Sequence, residues 1–202
     1  MPRQRSTSGV ASVRLSASPR SQRRQRRERL PLAALARRLL TLPRVGEVEL
    51  VASQQGLRAL HFTAVGEASH LELEPTTAAH AILDRAERYL VAYASRSGGD
   101  DGAGLPAMPR LDLTALTPFT REVLQLTSAI AFGQTQSYGT IAWQLGKPGA
   151  ARAVGQAMGR NPVPILIPCH RVLAGSGLGG FSCGDELKRI LLAIEGVTLF
   201  RR

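Results

Sequence analysis

The sequence predicts an α+β protein, with a small unit of strands and one helix followed by a mainly helical C-terminal part. Residues 46–52 and 57–63 alternate between polar and apolar side chains, as half-buried strands do. Residues 76–95 instead repeat apolar side chains at helical spacing. After residue 117, glycines and prolines divide the chain into several short helical segments.

The N-terminal elements follow from this patterning. Residues 30–42 are rich in leucine and alanine, and we expect them to form a short amphipathic helix. A Gln-Gly turn signal at 55–56 joins the two alternating stretches into a β-hairpin. The helix over 76–95 then leads into a flexible linker rich in glycine and aspartate over 97–104.

The C-terminal helices are marked by capping residues. Thr117 and Ser137 are placed as N-caps, and Pro118 suits a first helical position. The second and third helices are joined by Gly-Lys-Pro-Gly, which is typical of a helix-turn-helix. Four helices are predicted, over 118–131, 138–145, 150–158 and 185–194.

Charge is distributed unevenly along the chain. The 202 residues, 44% of them hydrophobic, suit one or two modest domains, and the net charge is +11. Residues 1–29 hold nine arginines against one acid, Glu28, a net charge of +8 that leaves +3 for residues 30–202. We expect residues 1–29 to be a disordered arm that contacts nucleic acid nonspecifically. Because this segment is rich in arginine and serine and poor in acids, the alternative interpretation is an organelle transit peptide.

Cysteine content and hydropathy indicate the compartment. Cys169 and Cys183 are the only cysteines and form no Cys-x-x-Cys pair, so a disulfide framework is not expected. The sequence has no apolar run of 18 residues, and a secretory signal is not expected because no apolar stretch follows the basic N-terminus. These features predict a chain without membrane association in the cytoplasm, beside the nucleoid, or in the nucleus of a eukaryote.

One segment, residues 161–172, combines stiffness with a nucleophile. Its three prolines fix the backbone, and it presents Cys169 directly before His170. A thiol beside an imidazole can act as an activated nucleophile. The alternative is an inert, buried structural cysteine.

Pro168-Cys-His-Arg-Val172 is similar to the active-site signature of the O6-alkylguanine-DNA alkyltransferases. The stretch 44–63 resembles, more weakly, the ribonuclease-H-like N-terminal domain of that family. The resemblance implies an N-terminal domain with linker over 30–110 and a catalytic domain over 115–202 that binds DNA through a winged-helix-like helix-turn-helix. Further segments match the family in order, at 117–123, 133–139, 149–155 and 191–196.

The resemblance implies a suicide repair reaction. Cys169 would take the alkyl group from O6 of guanine, or O4 of thymine, after the base leaves the duplex, and each molecule would act once. Glu195 would orient His170, which would reach the thiol through a water molecule because neighbouring side chains of an extended segment point apart. Tyr138 would give a proton to guanine N3, and Asn161 would order the turn and the nucleophile. The alternatives are a solvated Glu195 and a tyrosine that only packs in the core.

The resemblance also implies a DNA surface and an alkyl pocket. Arg152 would fill the gap left by the flipped base, and the small residues Ala150, Ala151 and Gly155 would let their helix approach the minor groove. We also expect Arg171 to contact DNA. The pocket would be walled or lined by Pro164, Val172, Phe181, Ser182 and Lys188, of which Lys188 is equally well explained as a solvated helix residue.

We expect double-stranded DNA containing O6-alkylguanine as the partner of a monomer, with no cofactor. No metal is expected, because the histidines lack ligand spacing and no cysteine precedes Cys169. Phe181 and Cys183 depart from the family, where many relatives have tyrosine and glycine, so substrate range is open. Other hypotheses are a non-enzymatic lesion-binding protein and a Cys-His hydrolase, for which no oxyanion hole is indicated.

Overall fold

The computed structural model describes residues 35–63, 76–98 and 102–198. The predicted arm over 1–29 lies outside these residues. The fold is mixed, with one antiparallel three-stranded sheet, a two-stranded parallel pair and five α-helices among the described residues. None of those helices is both long and apolar enough to cross a membrane.

The N-terminal sheet has the strand order β1 (Ala36–Leu42), β2 (Gly46–Ser53) and β3 (Gly56–Phe62). Strands β2 and β3 confirm the predicted hairpin, with a register irregularity between Val51 and Ala52. Helix α1 (Thr77–Ala94) follows and packs on the sheet.

The helix expected over 30–42 is wrong for its described part, because residues 36–42 form strand β1. The pairing with β2 is continuous, from Ala36 opposite Ala52 to Leu42 opposite Gly46. Short apolar runs do not distinguish helix from strand by pattern alone. Backbone hydrogen bonding to the neighbouring strand β2 outweighs the helical preference of leucine and arginine here.

The C-terminal helices agree with the capping signals. Thr117 Oγ1 accepts the backbone N–H of Thr120 at the start of α2, and Ser137 Oγ accepts that of Thr140 at the start of α3. Helix α2 ends three residues earlier than predicted. The four helices are α2 (Pro118–Ser128), α3 (Tyr138–Gln144), α4 (Ala151–Met158) and α5 (Asp185–Ile194).

Between α4 and α5 the chain makes a 3₁₀ turn, Cys169–Arg171, and then the short strand β5 (Val172–Leu173). Strand β5 pairs in parallel with β4 (Gln136–Ser137), which immediately precedes α3. This pairing places the cysteine turn beside the start of α3, although the two are about thirty residues apart in sequence.

Two hydrophobic clusters fill the interior. The larger one joins the N-terminal sheet and α1 to α5 and to the proline-rich loop, through residues such as Leu83, Ile165 and Leu191. The smaller one lies between α2, α3 and α4 and includes Val154 and Cys169. The thiol is therefore packed at the edge of an apolar core.

Candidate active site

The loop before the thiol is closed by the side chain of Asn161. Its Oδ1 accepts the backbone N–H of Val163 at 3.1 Å, and its Nδ2 donates to the carbonyl of Ile167 at 2.8 Å. The same Nδ2 lies 3.1 Å from Cys169 Sγ and donates to it. Asn161 therefore orders the turn and positions the sulfur.

The rest of the loop is held tightly. The Leu60 N–H of strand β3 donates to Pro162 O at 2.8 Å, and the Ile167 N–H donates to Val163 O at 3.0 Å. Ile165 has a φ of +72°, a left-handed conformation that is unusual for a β-branched residue. Such strain persists where the surrounding contacts over-determine the backbone, as it does beside many functional sites.

Replacing Asn161 with alanine is expected to destabilise the protein by about 1–3 kcal/mol, because the Val163 N–H loses its partner and the Ile167 carbonyl keeps only the bond from the Cys169 N–H. Urea unfolding of the variant measures this. Gln156→Ala, which truncates an exposed amide on α4, is the control. Equal urea midpoints for the two variants would show that the hydrogen bonds of Asn161 do not stabilise the protein.

Cys169, His170 and Arg171 form one 3₁₀ turn rather than the extended segment on which the water-bridge prediction rested. In a 3₁₀ turn successive side chains are offset by a third of a turn instead of alternating between two faces. All three are buried, at 4%, 0% and 6% exposure. His170 and Arg171 both reach the same carboxylate, that of Glu195.

Glu195 is the C-cap of α5 and is 3% exposed, so it is not a solvated residue. Its Oε1 accepts from His170 Nε2 at 2.7 Å, Tyr93 Oη at 2.8 Å and Arg171 Nη2 at 3.0 Å. Its Oε2 accepts from Arg171 Nε at 2.8 Å and the Gly133 N–H at 3.0 Å. Burial alone would raise the pKa of Glu195, but the bonds and charges of His170 and Arg171 outweigh it and hold that pKa at about 2.

The Glu195 carboxylate determines which ring nitrogen of His170 carries the proton. Burial lowers the pKa of His170, and the hydrogen bond and charge of Glu195 offset only part of that effect, so the ring is neutral at pH 7. Since an ionised Glu195 can only accept, Nε2 carries the proton and Nδ1 has a free lone pair. Nδ1 is buried and has no hydrogen-bond partner among the described residues.

Arg171, which is predicted to contact DNA, is buried in the structure. Its guanidinium is buried, donates twice to Glu195, and donates through Nη1 to Ile130 O at 2.5 Å. It also lies over the ring of Phe132, 5.7 Å from the centroid. Three of its donors are used inside the protein, where Arg171 compensates the buried carboxylate.

Sequence reasoning missed Tyr93, which α1 carries into this cluster. The side chain is fully buried, and its hydroxyl lies 2.8 Å from Glu195 Oε1 and 3.3 Å from His170 Nε2. Helical periodicity placed residue 93 on a helix, but nothing local showed that it faces a carboxylate 102 residues later. Phe132 packs edge-on against its ring, with centroids 6.0 Å apart.

Cys169 is protonated at rest. Burial raises the pKa of its thiol to about 11, and the hydrogen bond from Asn161 and the charge of Lys188 only moderate this rise. At neutral pH the thiol is therefore almost entirely protonated. His170, its neighbour in the same turn, carries a neutral ring, and a neutral imidazole can accept a proton from a thiol.

Lys188 is buried and holds the loop that follows the thiol. Its Nζ donates to Val172 O at 2.8 Å, Leu178 O at 2.7 Å and Gly180 O at 3.4 Å. Burial lowers the pKa of Lys188 to about 8 despite the opposing charges of Cys169 and Asp185. The solvated alternative is therefore excluded, and the Val172 carbonyl has one protein donor already.

A cleft of about 730 Å³ opens above the thiol. Helices α3 and α4 form one side, and the loop 174–182 forms the other. Among its lining residues are Tyr138, Arg152, Gly155, Cys169, Phe181 and Ser182. The predicted nucleophile therefore lies in one cavity with α4, the helix predicted to approach the minor groove, which also contributes Ala151. Ala150 is partly buried against the smaller core cluster and is not a lining residue.

Tyr138 lies across this cleft, with its hydroxyl donating to Gly180 O at 2.9 Å. Burial and then the charge of Cys169 raise the pKa of Tyr138, so the phenol keeps its proton at neutral pH. Gly179, at a φ of +69°, lets the loop pass close by, since a Cβ there would lie 3.0 Å from the tyrosine ring and 2.9 Å from Ala174 N.

Pro164 lies in a different, neighbouring cavity. This second cleft, of about 410 Å³, is bordered by strand β3 and contains Asn161, Ser182 and Cys183. Ser182 lines both clefts, so the two adjoin at that residue. No group of three potential metal ligands occurs within the described ranges.

The chain is similar to proteins of one family over most of its length. Residues 118–197 match the family profile "6-O-methylguanine DNA methyltransferase, DNA binding domain". A methylated-DNA–protein-cysteine methyltransferase of Cricetulus griseus is 36% identical over 166 residues, which is 76% of this chain and 78% of the relative. The protein of that name from Salmonella typhimurium is 53% identical over 87 residues, 43% of this chain and about half (51%) of its own length.

Solved structures give the same result. The OGT of Mycobacterium tuberculosis in complex with DNA superposes with a TM-score of 0.60 at 34% identity, over 79% of this chain and 92% of that one. The O6-methylguanine-DNA methyltransferase of Pyrococcus kodakaraensis gives 0.53 at 29% identity, over 80% and 99%. The similarity therefore includes the N-terminal sheet as well as the helical part.

Proposed function

Because the chain belongs to the methylated-DNA–protein-cysteine methyltransferase family, we propose that it repairs alkylated DNA by accepting the alkyl group on Cys169. The substrate is double-stranded DNA with O6-alkylguanine or O4-alkylthymine, and each molecule reacts once. The observation that carries this proposal is the position of the Cys169 sulfur in the cleft formed by α3 and α4, in one turn with a histidine bonded to a buried carboxylate.

The reaction is a single in-line displacement at the alkyl carbon. His170 Nδ1 takes the thiol proton, through a bridging water molecule, as the sulfur attacks. The carbon–sulfur bond forms, the carbon–O6 bond breaks, and its electron pair goes to the purine. Tyr138, whose phenol stays protonated, gives a proton to N3 of the departing guanine. The thioether product is stable, which makes the transfer irreversible.

The DNA surface is a helix-turn-helix made by α3 and α4. The exposed or partly exposed face of α4 carries Ala151, Arg152 and Gly155 beside the cleft. Small side chains let this helix enter the minor groove, and Arg152 fills the gap that the flipped base leaves. The strands and helix over 36–94 belong to a ribonuclease-H-like N-terminal domain, which together with its linker spans residues 30–110. The catalytic domain that binds DNA spans residues 115–202. The protein acts as a monomer in the compartment that contains the DNA, which is the cytoplasm beside the nucleoid or, in a eukaryote, the nucleus.

Arg152→Ala is expected to slow transfer from O6-methylguanine duplex at least about tenfold, because the extrahelical base loses the side chain that replaces it in the stack. Single-turnover kinetics at saturating duplex measure the rate. Arg121→Ala, which removes an exposed arginine of α2 outside the cleft, should leave that rate unchanged. A similar loss in both variants would indicate general electrostatics instead of a specific role.

The proposed activity is tested by stoichiometry. Duplex DNA carrying tritiated O6-methylguanine is mixed with the full-length protein, and label in the protein is counted. One methyl group per chain, with no further uptake on addition of fresh duplex, is expected. Tight binding to the lesion without protein labelling would instead identify a non-enzymatic lesion-binding protein.

A further inference from the structure

Tyr93 comes from the N-terminal half of the described residues, yet its hydroxyl contacts the His170–Glu195 pair. Glu195, His170 and Arg171 all lie in the C-terminal part, whereas Tyr93 stands near the end of α1. Its hydroxyl is enclosed, bonded to Glu195 Oε1 at 2.8 Å and close to His170 Nε2 at 3.3 Å and Leu191 O at 3.5 Å.

The hydroxyl acts on the same oxygen that holds the histidine. Glu195 Oε1 accepts from Tyr93, from His170 Nε2 and from Arg171 Nη2. A carboxylate oxygen has two lone pairs, so three donors share its charge. Donation by Tyr93 therefore limits how strongly Oε1 attracts a proton on the imidazole, and it also fixes the carboxylate plane.

We propose that Tyr93 is a positioning residue, through which helix α1 sets the orientation and proton affinity of the His170–Glu195 pair. The proposal rests on the alkyl-transfer function proposed above. It gives the N-terminal unit a part in the chemistry beyond packing: Tyr93 keeps Nε2 on Glu195 and leaves Nδ1 as the ring's proton acceptor.

Removing the Tyr93 hydroxyl should raise the proton affinity of the His170 ring. Without the Tyr93 proton, Oε1 carries more negative charge toward His170 and favours the imidazolium form. The transfer reaction needs the neutral ring, so the acid limb of its pH–rate profile should move to higher pH. The charged and titratable groups that surround the ring, and that stay in place, are Glu195 and Lys188 from α5 and Arg171 and Cys169 from its own turn.

The test is Tyr93→Phe in the full chain. Phenylalanine fills the same space and keeps the edge-on contacts with Phe132 and His170, so the fold is retained. Tyr89→Phe is the matched control. Tyr89 lies one turn earlier on α1 and is also buried, but within the described part of the chain its hydroxyl is bonded to neither Glu195 nor His170.

Two readouts are used. Nitrogen NMR of the unreacted protein follows the titration of the His170 ring, and single-turnover transfer from O6-methylguanine duplex is measured from pH 5 to 9. Tyr93→Phe should raise both midpoints by about half a pH unit and slow transfer by at most about threefold at the acid end of the profile, with Tyr89→Phe like wild type.

Midpoints that coincide for the two variants and the wild type would overturn the proposal, even if Tyr93→Phe were less stable. The NMR titration needs no DNA. If the wild-type protein fails to take up alkyl groups, the proposed function falls, while the effect of Tyr93 on His170 is still decided by the titration.

Discussion

Cys169→Ala is expected to abolish alkyl transfer and to leave binding to O6-methylguanine duplex within about threefold of wild type. Cys169 carries the only thiol, the strongest nucleophile available, among the residues that line the cleft. Removing it deletes the acceptor but leaves α4, Arg152 and the cleft walls in place. Loss of the reacting atom has the largest effect that one substitution can have here.

The chain supplies a matched control for this experiment. Cys183 is the other cysteine, half-buried, and lies in the second cleft with Ser182 and Asn161. Burial raises the pKa of the Cys183 thiol, and no histidine–carboxylate pair is bonded near it among the described residues. Cys183→Ala should transfer at close to the wild-type rate. Transfer by Cys169→Ala that disappears in the double variant would reassign the acceptor to Cys183.

Glu195→Gln is expected to have the second largest effect, lowering the transfer rate by about a hundredfold or more. The amide cannot supply the negative charge that holds Nε2–H of His170, and its NH₂ group opposes the donors of Arg171 and Gly133. His170 is then no longer held in the tautomer that carries its proton on Nε2. Arg171 is left buried without a counter-charge. Single-turnover kinetics at pH 7.5 measure the rate.

The same substitution should reduce the free energy of unfolding at pH 7 by about 3 kcal/mol, since the pKa of Glu195 is held at about 2 instead of 4.5. A carboxyl group whose folded pKa is depressed stabilises the protein above its unfolded pKa. That contribution is lost as the pH falls from 4.5 toward 2. The stability difference between wild type and Glu195→Gln should therefore shrink across this interval.

The control is Glu186→Gln, which neutralises an exposed acid in the first turn of the same helix. It should alter neither the rate nor the acid part of the stability curve by more than a small amount. A stability gap between wild type and Glu195→Gln that stays constant from pH 7 to pH 2 would contradict an ionised, bonded Glu195.

Much of the fold could be predicted because its signals are local. Alternation gave strands β2 and β3, and Thr117 and Ser137 marked helix starts that the structure confirms. The proline-rich segment indicated a stiff loop, and the family resemblance is confirmed by relatives that cover most of the chain. Strand β1 was missed because its conformation depends on pairing with β2, which is a tertiary effect.

The candidate site was predictable only in part, for a similar reason. Cys169 and His170 are adjacent in sequence, and the resemblance supplied Glu195, which the structure places on the same histidine. The burial of Arg171 and of Lys188 could not be read from sequence, because charged residues are usually exposed and their buried partners come from distant segments. Tyr93 was missed since its partner lies on another helix.

Peptide mass spectrometry of the wild-type protein after reaction with O6-methylguanine duplex tests the central claim most directly. The buried thiol beside His170 should gain one methyl group stoichiometrically, so the methyl must appear on the peptide that contains Cys169 and be absent from the one that contains Cys183. Methyl groups on the Cys183 peptide, or an unmodified Cys169 after complete repair of the DNA, would contradict the assignment.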